Sequence, residues 1–512
     1  MQTTAILRSL LVAAAVCSAV AAQKFPVYSR APSEPFWPGY GRNPQHTAQV
    51  STGTQPLNRI LWQTPVDLQP QYSGTNLLIH YGTPLITSAG NVLVTVKTGA
   101  SGGFQIESRN ANSGFLHWTQ TTDYDLPPHN WVPSCGSTLT PTNKLATPAA
   151  GGTILLRDNA DSATSAVTRL AFYGIANYQG NPTGFNSTVK ITTPITSDAQ
   201  GNLFFGFRVS GVPPISLSSG IARIASNGVG SWVSAATAAN DVSIRKVVFN
   251  CAPALTANGA SLYLGVNSSN NSGGTGGYLL KLDSTTLAMQ ARVRLRDVAA
   301  PSNDAYLYDD GTASPTVGPD GDVYFGALEN PFGANHLRGW MLHFDANLTM
   351  TKLPGPFGWD DTSALVPRSM VPQYTGPSSY LILTKYNNYG GGGGDGLNRL
   401  GVFDPNVSMV DPISGATVMN AVLSVLGPTP DPQYPGGVRE WCINTAAIDV
   451  AGKSAIVNCE DGLAYRWYFP TNTLTQAVIL TAGIGEAYTP TIVGQNGVSY
   501  AINNATLYAL GL

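Results

Sequence analysis

Acidic, basic and aromatic side chains recur at one position in this sequence, immediately before each copy of a short apolar hairpin. Only 11% of the residues are charged, so their concentration at corresponding positions points to a shared site. The candidate ligand-binding residues are His129, Trp131, Arg245, Asn250, Asp309, Asp310, Arg368, Arg439, Glu440, Trp441 and Glu486. If the hairpins form a ring, these side chains converge on a concave pocket with several polar groups, which is the usual form of a ligand site.

Two tripeptides are the strongest individual candidates, Arg439-Glu440-Trp441 and His129-Asn130-Trp131. Each joins a titratable or hydrogen-bonding group to a tryptophan, whose flat face stacks on a planar ligand or on a sugar ring. The alternative interpretation is structural, because loops are polar in most proteins and ion pairs at a channel mouth also hold neighbouring repeats together. The residue types alone leave both interpretations open.

Familiar catalytic and metal-binding motifs do not account for these residues. The six histidines include no HExxH pair, and Asp320-Gly321-Asp322 lacks the distal glutamate of a calcium loop. The stretch from Gly99 to Gly103 has the letters of a serine-hydrolase elbow, but it joins two predicted strands where the elbow requires a strand followed by a helix. The sequence therefore predicts no metal site and identifies no catalytic residue.

The element that must position the candidates is a repeated β-hairpin, clearest in Ser314 to Glu329 (SPTVGPDGDVYFGALE). A short apolar strand leads into the tight turn Gly318-Pro319-Asp320-Gly321, and an alternating strand returns. Further copies begin at Gly82, Gly136, Thr192, Cys251, Ser369, Asn444 and Tyr488. A spacing of roughly 45–75 residues is typical of propellers and other repeat arrays.

Several repeats contain a second pair of strands, which makes each repeat a four-stranded propeller blade. Residues Arg59 to Val66 read as a strand without a hairpin partner, and the last repeat ends one strand short. The sequence predicts an all-β chain folded as a single propeller of eight four-stranded blades, with seven as the alternative. We expect the N-terminal strand to complete the last blade, because closure removes exposed sheet edges.

The first residues have the features of an export signal. Arg8 precedes the apolar run Leu10 to Ala22, which ends in small residues suited to cleavage and is too short to span a membrane comfortably. The predicted divisions are a signal peptide at 1–22, an N-terminal segment at 23–58 and the propeller at 59–512. We expect a monomer that is secreted or otherwise extracytoplasmic, with no membrane span.

Export allows disulfides to form, and four cysteines remain after removal of the signal. Cys442 and Cys459 flank one predicted hairpin, so we expect them to lie on neighbouring strands and to form a disulfide. Cys135 and Cys251 occupy similar repeat positions a whole repeat apart, and their pairing is left open.

Two motifs resemble the blade pattern of the PQQ-like, or quinoprotein-type, eight-bladed propellers. ESRNANSGFLHW (Glu107 to Trp118) is similar to the blade repeat of that superfamily, and FWPGYGRNPQHTA (Phe36 to Ala48) is similar to its opening segment. The resemblance implies the fold over most of the chain from Trp37 onwards, and it brings pyrroloquinoline quinone (PQQ) and Ca²⁺ into consideration as cofactors. Neither is favoured, because the adjacent cysteine pair that many quinoprotein dehydrogenases carry does not occur in this sequence.

The composition limits the classes of partner that this protein is expected to bind. The formal net charge is -2 and no run of Lys or Arg occurs, which argues against nucleic acid and anionic membrane surfaces as partners. The sequence favours a secreted binding or scaffold propeller with a site for a small molecule, carbohydrate or protein at the channel mouth. The alternative is an enzyme with its active site there, either a quinone- or metal-dependent dehydrogenase or a hydrolase or lyase acting on carbohydrate.

Overall fold

The computed structural model describes residues 34–74, 76–78, 82–100, 102–127, 135–270, 274–311 and 313–512. Its strands form eight sheets arranged as blades around a central channel, which confirms the predicted eight-bladed β-propeller. Blades are numbered here in the order in which the chain forms their innermost strands. No helix in the described ranges is both long and apolar enough to cross a membrane.

The first four strands lie before the blade hairpins: β1 (Gln49–Val50), β2 (Arg59–Pro65), β3 (Tyr72–Ser73) and β4 (Asn76–Leu77). Blade 1 comprises β5 (Leu85–Ile86), β6 (Val92–Lys97), β7 (Gly102–Arg109) and β8 (Leu116–Asp125). Blade 2 comprises β9 (Thr138–Leu139), β10 (Leu145–Ala149), β11 (Thr153–Arg157) and β12 (Val167–Ala171). Two short helices follow, α1 (Ile175–Gly180) and α2 (Pro182–Thr188).

The innermost strands of blades 3 and 4 are each split in two. Blade 3 comprises β13 (Val189–Ile191), β14 (Thr196–Ser197), β15 (Leu203–Val209), β16 (Gly220–Ile224) and β17 (Gly230–Ser234). Helix α3 (Ala235–Ala239) leads into blade 4, which comprises β18 (Lys246–Val247), β19 (Ala254–Leu255), β20 (Ser261–Asn267), β21 (Gly277–Asp283) and β22 (Met289–Arg294). In both blades the two pieces pair with the same second strand.

Blade 5 comprises β23 (Thr316–Val317), β24 (Val323–Ala327) and β25 (Trp340–Phe344), and the stretch 351–355 completes it through isolated bridges to β25. Blade 6 comprises β26 (Ala364–Pro367), β27 (Tyr380–Tyr386), β28 (Arg399–Val410) and β29 (Thr417–Leu426). Blade 7 comprises β30 (Ala447–Asp449), β31 (Ser454–Asn458), β32 (Leu463–Tyr468) and β33 (Thr473–Ile479). Blade 8 comprises β34 (Ile492–Val493), β35 (Ser499–Asn503) and β36 (Thr506–Gly511), completed by β2.

The blade 5 hairpin shows why the repeated sequence folds in this way. Gly321 supplies the positive φ, +89°, that its tight turn requires. All five residues of β24 are buried, as expected for a strand covered by a neighbouring blade on each face. In the sixth copy the predicted hairpin start at Ser369 is wrong, because the innermost strand β26 lies upstream of that residue and Arg368–Met370 form a 3₁₀ turn.

The predicted closure of the ring is confirmed. Strand β2 pairs antiparallel with β36, with Trp62 opposite Ala509, and so becomes the outer strand of blade 8. The Trp62 indole also donates to the Ala111 carbonyl of blade 1 at 2.9 Å. Strand β2 therefore ties the last blade to the first.

Residues 37–55, named here the channel segment, run around the inside of the ring and cover the innermost strands. The segment exchanges backbone hydrogen bonds with Ile86 of blade 1, and its carbonyls accept from backbone amides of five further blades, at Leu139, Leu255, Val317, Leu365 and Ile448. Strand β1 within it pairs in parallel with β30. Because the innermost strands otherwise present unpaired edges to the channel, the segment satisfies those edges.

His46 anchors the middle of the channel segment. Its Nδ1 donates to the Pro315 carbonyl at 2.7 Å, and its ring contacts the Tyr40 ring edge-on at 5.1 Å. Complete burial lowers the pKa of His46 to about 4. The imidazole is therefore neutral above that pH and acts as a structural donor.

The predicted disulfide is wrong. The four cysteines in the described residues are free and buried. The Cys459 thiol donates to the Glu440 carbonyl at 3.1 Å, whereas the Cys442 thiol donates to the Glu460 carboxylate at 3.4 Å. The backbone before β30 leaves the hairpin register, since the ladder with β31 begins only at Ala447, and the two sulfurs take different partners.

Candidate functional site

The functional candidates lie on the face of the ring where the innermost strands begin, named here the front face. Because the second strand of each blade runs antiparallel to the first, it ends at this same face. The front face of each blade therefore combines a loop that leads into the first strand with the turn that follows the second. Tyr40 of the channel segment lies beneath this face, where its hydroxyl hydrogen-bonds Thr362 at 2.7 Å and Asn444 at 2.5 Å.

Blades 6 to 8 bring several carboxyl groups together at the front face. We name this group the acidic cluster: Asp360, Asp361, Glu440, Glu460 and Glu486, with Lys385. Asp360 and Asp361 precede the first strand of blade 6, Glu440 precedes that of blade 7, and Glu486 precedes that of blade 8. Lys385 lies on the second strand of blade 6, and Glu460 follows that of blade 7. The three glutamates are partly exposed, so the cluster reaches solvent.

Lys385 is the cation within the acidic cluster. Its Nζ pairs with Asp360, and its backbone amide donates to Asp361 Oδ2 at 2.8 Å. The other oxygen of Asp361 is buried without a hydrogen-bond partner in the described residues. Burial opposes the charge of Lys385, but Asp360 and Asp361 outweigh it and hold the pKa of Lys385 above its ordinary value. The single positive charge of Lys385 therefore faces two aspartates and leaves the three glutamates without an equal positive charge.

Three carboxyls of the acidic cluster have pKa values raised to near or above neutral pH. Burial, followed by repulsion from Glu460, raises the pKa of Glu440 to about 8. Burial and the charges of Glu460 and Asp360 raise the pKa of Glu486 to about 7, and burial raises the pKa of Asp361 to about 7. These groups share protons near neutral pH, as closely spaced buried carboxyls must.

Polar side chains complete the wall of the acidic cluster. The Cys442 thiol lies within hydrogen-bonding distance of Glu460 and, at 3.5 Å, of the Tyr488 hydroxyl. One ligand atom from each of Glu440, Cys442 and Glu460 lies within 4.8 Å of the others, so these residues have the spacing needed to hold a cation. Burial and the neighbouring carboxylates raise the pKa of Cys442 well above its ordinary value, which leaves the sulfur a thiol and the carboxylate oxygens the better ligands.

A second charged group lies between blades 4 and 5, and it is balanced. Lys246 Nζ contacts Asp309 Oδ1 at 2.6 Å and Oδ2 at 2.5 Å, and both side chains are buried. Phe249 N donates to the same carboxylate, and the side-chain amide of Asn250 donates to the Asp309 carbonyl at 3.2 Å. We name this group the balanced pair.

Between the two groups lies a narrow recess of about 20 Å³. Its walls include Tyr306, Tyr308 and Trp359, and Asp360 of the acidic cluster lines one side. The Tyr308 and Trp359 rings meet at 82° with centroids 5.7 Å apart. We name this feature the aromatic recess.

The structure separates the other sequence candidates. Arg439 pairs with Asp431 at 3.3 Å beside the acidic cluster. Trp441 is completely buried in the core against Tyr465, so its ring faces no solvent-accessible ligand. Arg245 is exposed at the rim of blade 4.

Four further candidates lie away from the acidic cluster or outside the described residues. Arg368 follows the end of the first strand of blade 6, at the opposite face of the ring, and stacks on Tyr374. Asp310 is partly exposed beside Tyr308. His129 and Trp131 lie outside the described residues.

Sequence reasoning did not select Lys385 or Glu460, because it considered only the loops that lead into the first strands. The signal that identifies them is a polar residue at the end of an otherwise apolar second strand. Lys97, Asn267, Lys385, Asn458 and Asn503 all occupy such ends.

Comparison with solved structures shows the same architecture in enzymes of known class. A europium-containing methanol dehydrogenase is 11% identical, with a TM-score of 0.56 over 94% of this chain and 99% of that chain. The quinohemoprotein alcohol dehydrogenase from Comamonas testosteroni is 12% identical, with a TM-score of 0.52 over 94% and 81%. The quinohemoprotein alcohol dehydrogenase ADHIIG from Pseudomonas putida HK5 is 11% identical, with a TM-score of 0.51 over 94% and 76%.

No family model and no curated protein matches the sequence. The likeness to the three dehydrogenases confirms that the chain has the eight-bladed fold of the PQQ-like propellers. At this level of identity the likeness shows the fold alone, and the function has to be argued from the side chains of this chain.

Proposed function

We propose that this protein is an exported binding propeller that holds a positively charged ligand at its acidic cluster. The observation that carries the proposal is the excess of carboxyl groups: Glu440, Glu460 and Glu486 converge at the front face, while Lys385 is already paired with Asp360. Repulsion among buried carboxylates is costly unless a proton or another cation compensates it. A bound cation relieves that cost and replaces the shared protons.

The remainder of the front face supports a ligand site more than a structural network. A structural network gains stability from matched charges, as in the balanced pair. In the acidic cluster the three glutamates remain partly exposed. The channel segment closes the ring beneath them at Tyr40, so a ligand enters from the front face.

The acidic cluster does not fit pyrroloquinoline quinone. That quinone carries several carboxylate groups, and a cluster with more carboxyls than cations repels it. In the described part of the cluster the cations are Lys385 and, at its edge, Arg439, and each is paired with an aspartate. The likeness to quinoprotein dehydrogenases therefore extends to the blades, and we derive no quinone chemistry for this cluster.

Thermal unfolding of the mature chain tests the proposal. CaCl₂ and choline chloride represent inorganic and organic cations, sodium sulfate at matched ionic strength represents anions, and sodium chloride is the reference. A cation at 100 times its Kd stabilises the native state by about 2.7 kcal/mol. We expect a cation to raise the melting temperature and Glu440→Gln/Glu486→Gln to remove the increase.

The matched control for this experiment is Asp158→Asn. Asp158 forms an exposed pair with Lys144 on blade 2, far from the front face of blades 6 to 8. Its substitution should leave the cation effect unchanged. Stabilisation by sulfate instead of cations, or an equal cation effect in the double variant, would refute the proposed site.

An acid–base enzyme acting on carbohydrate is the second candidate. The pKa of about 8 for Glu440 leaves this carboxyl protonated at neutral pH, as a general acid requires. Release of reducing sugar from a polysaccharide panel, with a rate that falls above pH 8 and is lost in Glu440→Gln, is the expected result for an enzyme. A chain that binds cations and releases no sugar supports the binding function.

A separate experiment tests the proposal that the protein is exported. It rests on Arg8 and the apolar run Leu10 to Ala22. Expression of the full chain in a secreting host should deliver it to the medium with an N-terminus after Ala21 or Ala22. Sedimentation of that product tests the expected monomer.

A further inference from the structure

Six tripeptides of the form Asn-x-Ser/Thr occur in the chain, and the acidic cluster uses none of them. They begin at Asn186, Asn267, Asn270, Asn347, Asn406 and Asn504. This tripeptide is the acceptor for N-linked glycans in exported proteins, where the sugar attaches to the side-chain nitrogen Nδ2. A folded chain tolerates the glycan only where the asparagine is exposed and its Nδ2 is not engaged. The tripeptide at Asn270 extends outside the described residues, so the structure sorts the other five.

Three of these five asparagines are engaged in the fold. Asn267 is completely buried, and its side-chain amide donates to the Leu307 carbonyl at 3.1 Å. Asn186 lies in helix α2, half-buried, with its Oδ1 atom buried. Asn406 is exposed, but its Nδ2 donates to Ser378 Oγ at 2.8 Å. A glycan on any of the three would disturb a packed or hydrogen-bonded side chain.

Asn347 meets both requirements. It is exposed in the turn that follows β25 of blade 5, at the face of the ring opposite the front face. Its Oδ1 accepts from Lys281 Nζ at 2.9 Å, while its Nδ2 makes no hydrogen bond within the described residues. The carboxylate of Asp345 fixes the turn by accepting from the backbone amides of Thr349 and Met350, each at 2.7 Å. Attachment at Nδ2 therefore leaves every contact of this turn in place.

Asn504 meets the same requirements at the front face. It is exposed in the two-residue turn between β35 and β36 of blade 8, where its φ is +47°. Asparagine adopts this left-handed conformation more readily than most residues. Its backbone amide donates to the Glu486 carbonyl at 3.1 Å, and its side chain makes no hydrogen bond in the described part of the chain. The fold thus holds this side chain at the rim of blade 8 with its nitrogen unengaged.

We propose that Asn347 and Asn504 are N-glycosylation sites of the exported chain, and that Asn186, Asn267 and Asn406 carry no glycan. The inference rests on the export component of the proposed function, because a secretory pathway supplies the glycosyl donor, a lipid-linked oligosaccharide diphosphate. In the transfer, Nδ2 forms a bond to C1 of the first sugar, and the bond from C1 to the diphosphate oxygen breaks. Nδ2 loses one proton, which balances the negative charge gained by the released lipid diphosphate.

Peptide mapping of the secreted protein tests the inference. The full chain is expressed in a eukaryotic secreting host, and peptide N-glycosidase then converts each glycosylated asparagine to aspartate, which mass spectrometry locates. We expect conversion at Asn347 and Asn504 and unmodified asparagine at positions 186, 267 and 406. Absence of conversion at both expected sites, or conversion at the completely buried Asn267, would overturn the inference.

Two variants of one residue provide a matched control. Thr349 is the third residue of the acceptor tripeptide at Asn347, and its hydroxyl is required for the transfer. Thr349→Val keeps Asn347 and should lose the glycan there, whereas Thr349→Ser should retain it. Occupancy of Asn504 should be the same in both variants. A glycan that persists at Asn347 in Thr349→Val would show that the tripeptide does not direct the modification.

A parallel expression of the mature chain behind a secretion signal of the host separates this inference from the proposed function. If the chain's own residues 1–22 fail to export it while the host signal yields glycans at Asn347 and Asn504, the export component is wrong and the two acceptor sites stand. If its own signal exports a chain without these glycans, the present inference fails alone. The cation effect at the acidic cluster should persist after enzymatic removal of the glycans, because neither asparagine belongs to that cluster.

Discussion

The balanced pair and the acidic cluster lie on the same face of the same ring, yet they treat buried charge in opposite ways. In the balanced pair, the ammonium of Lys246 contacts both oxygens of Asp309, and a backbone amide adds a further donor. In the acidic cluster, Lys385 takes Asp360 and the glutamates face one another. The first arrangement has one cation for one carboxylate, and burial still raises the pKa of Asp309 and lowers that of Lys246. The carboxyls of the acidic cluster are balanced only by protons or by a bound cation, so we propose that the function lies there.

The two groups also differ in the parts of the chain from which their residues come. The balanced pair joins the split innermost strand of blade 4 to the loop before blade 5, so it connects two neighbouring blades. The acidic cluster collects residues from blades 6, 7 and 8. The glutamates of the acidic cluster remain partly exposed, whereas both side chains of the balanced pair are buried.

The largest effect is expected when one partner of the balanced pair is removed. Lys246→Met leaves the Asp309 carboxylate buried without its cation, and such a loss costs about 3–5 kcal/mol of unfolding free energy. Urea denaturation at neutral pH measures the cost. The double variant Lys246→Met/Asp309→Leu should recover most of it, since no uncompensated charge remains. A single-variant loss below about 1 kcal/mol would show that Asp309 finds another cation, and the contrast between the two groups would disappear.

Removing a charge from the acidic cluster should act in the opposite direction. The folded chain holds the pKa of Glu440 at about 8, above the ordinary value of 4.5. The folded state therefore binds more protons than the unfolded state between these values, and stability falls as the pH rises through that window. Glu440→Gln cannot ionise, so at pH 9 it should be more stable than the original chain by about 1–2 kcal/mol.

The difference between pH 5 and pH 9 tests this sign. Below pH 5 both the folded and the unfolded glutamate approach protonation, so the gain from Glu440→Gln should shrink towards zero. Asp158→Asn, at an exposed pair, serves as the control and should show no such pH dependence. A variant less stable than the original chain at pH 9 would mean that a cation already compensates Glu440.

Much of the fold was predictable from the sequence because each blade repeats the same physical problem. The sequence predicted the blades and their number from the recurring hairpin, with its tight glycine turn and its apolar second strand. The unpartnered strand at Arg59 to Val66 predicted the closure of the ring. The path of residues 37–55 was not predictable, because backbone hydrogen bonds to the channel edges leave no periodic pattern in the sequence. The splitting of the innermost strands of blades 3 and 4 was not predictable for the same reason.

The position of the candidate site was predictable from the sequence, but the identity of its residues was less predictable. Glu440, Glu486, Asp309 and Asn250 lie at the front face, as their position before a hairpin suggested. Trp441 does not contribute a stacking face, since its ring is completely buried in the core against Tyr465. Lys385 lies on a second strand and Glu460 follows one, and only the antiparallel pairing places them beside the first-strand loops. Which charges remain uncompensated depends on distances that no sequence pattern supplies.

The cysteines offer a smaller test of the same contrast. Cys251 lies beside the balanced pair, where its sulfur accepts from Gly265 N at 3.2 Å, whereas Cys442 faces Glu460. Burial raises the pKa of both thiols, and the nearby glutamates raise that of Cys442 further. Alkylation of the denatured, unreduced mature chain should label Cys135, Cys251, Cys442 and Cys459, as read by mass spectrometry. Failure to label Cys442 and Cys459 without reductant would restore the disulfide that the structure contradicts.

The smallest effects are expected from charges that belong to neither group. Arg245 is exposed at the rim of blade 4, and Arg368 lies at the opposite face of the ring. Arg245→Ala and Arg368→Ala should each change the unfolding free energy by no more than about 0.5 kcal/mol, as is usual for exposed positions. Neither should alter cation affinity, because removing a distant exposed positive charge changes a screened interaction. A several-fold increase in cation affinity in Arg245→Ala would show that the front-face field extends to the rim and that the two groups act as one electrostatic surface.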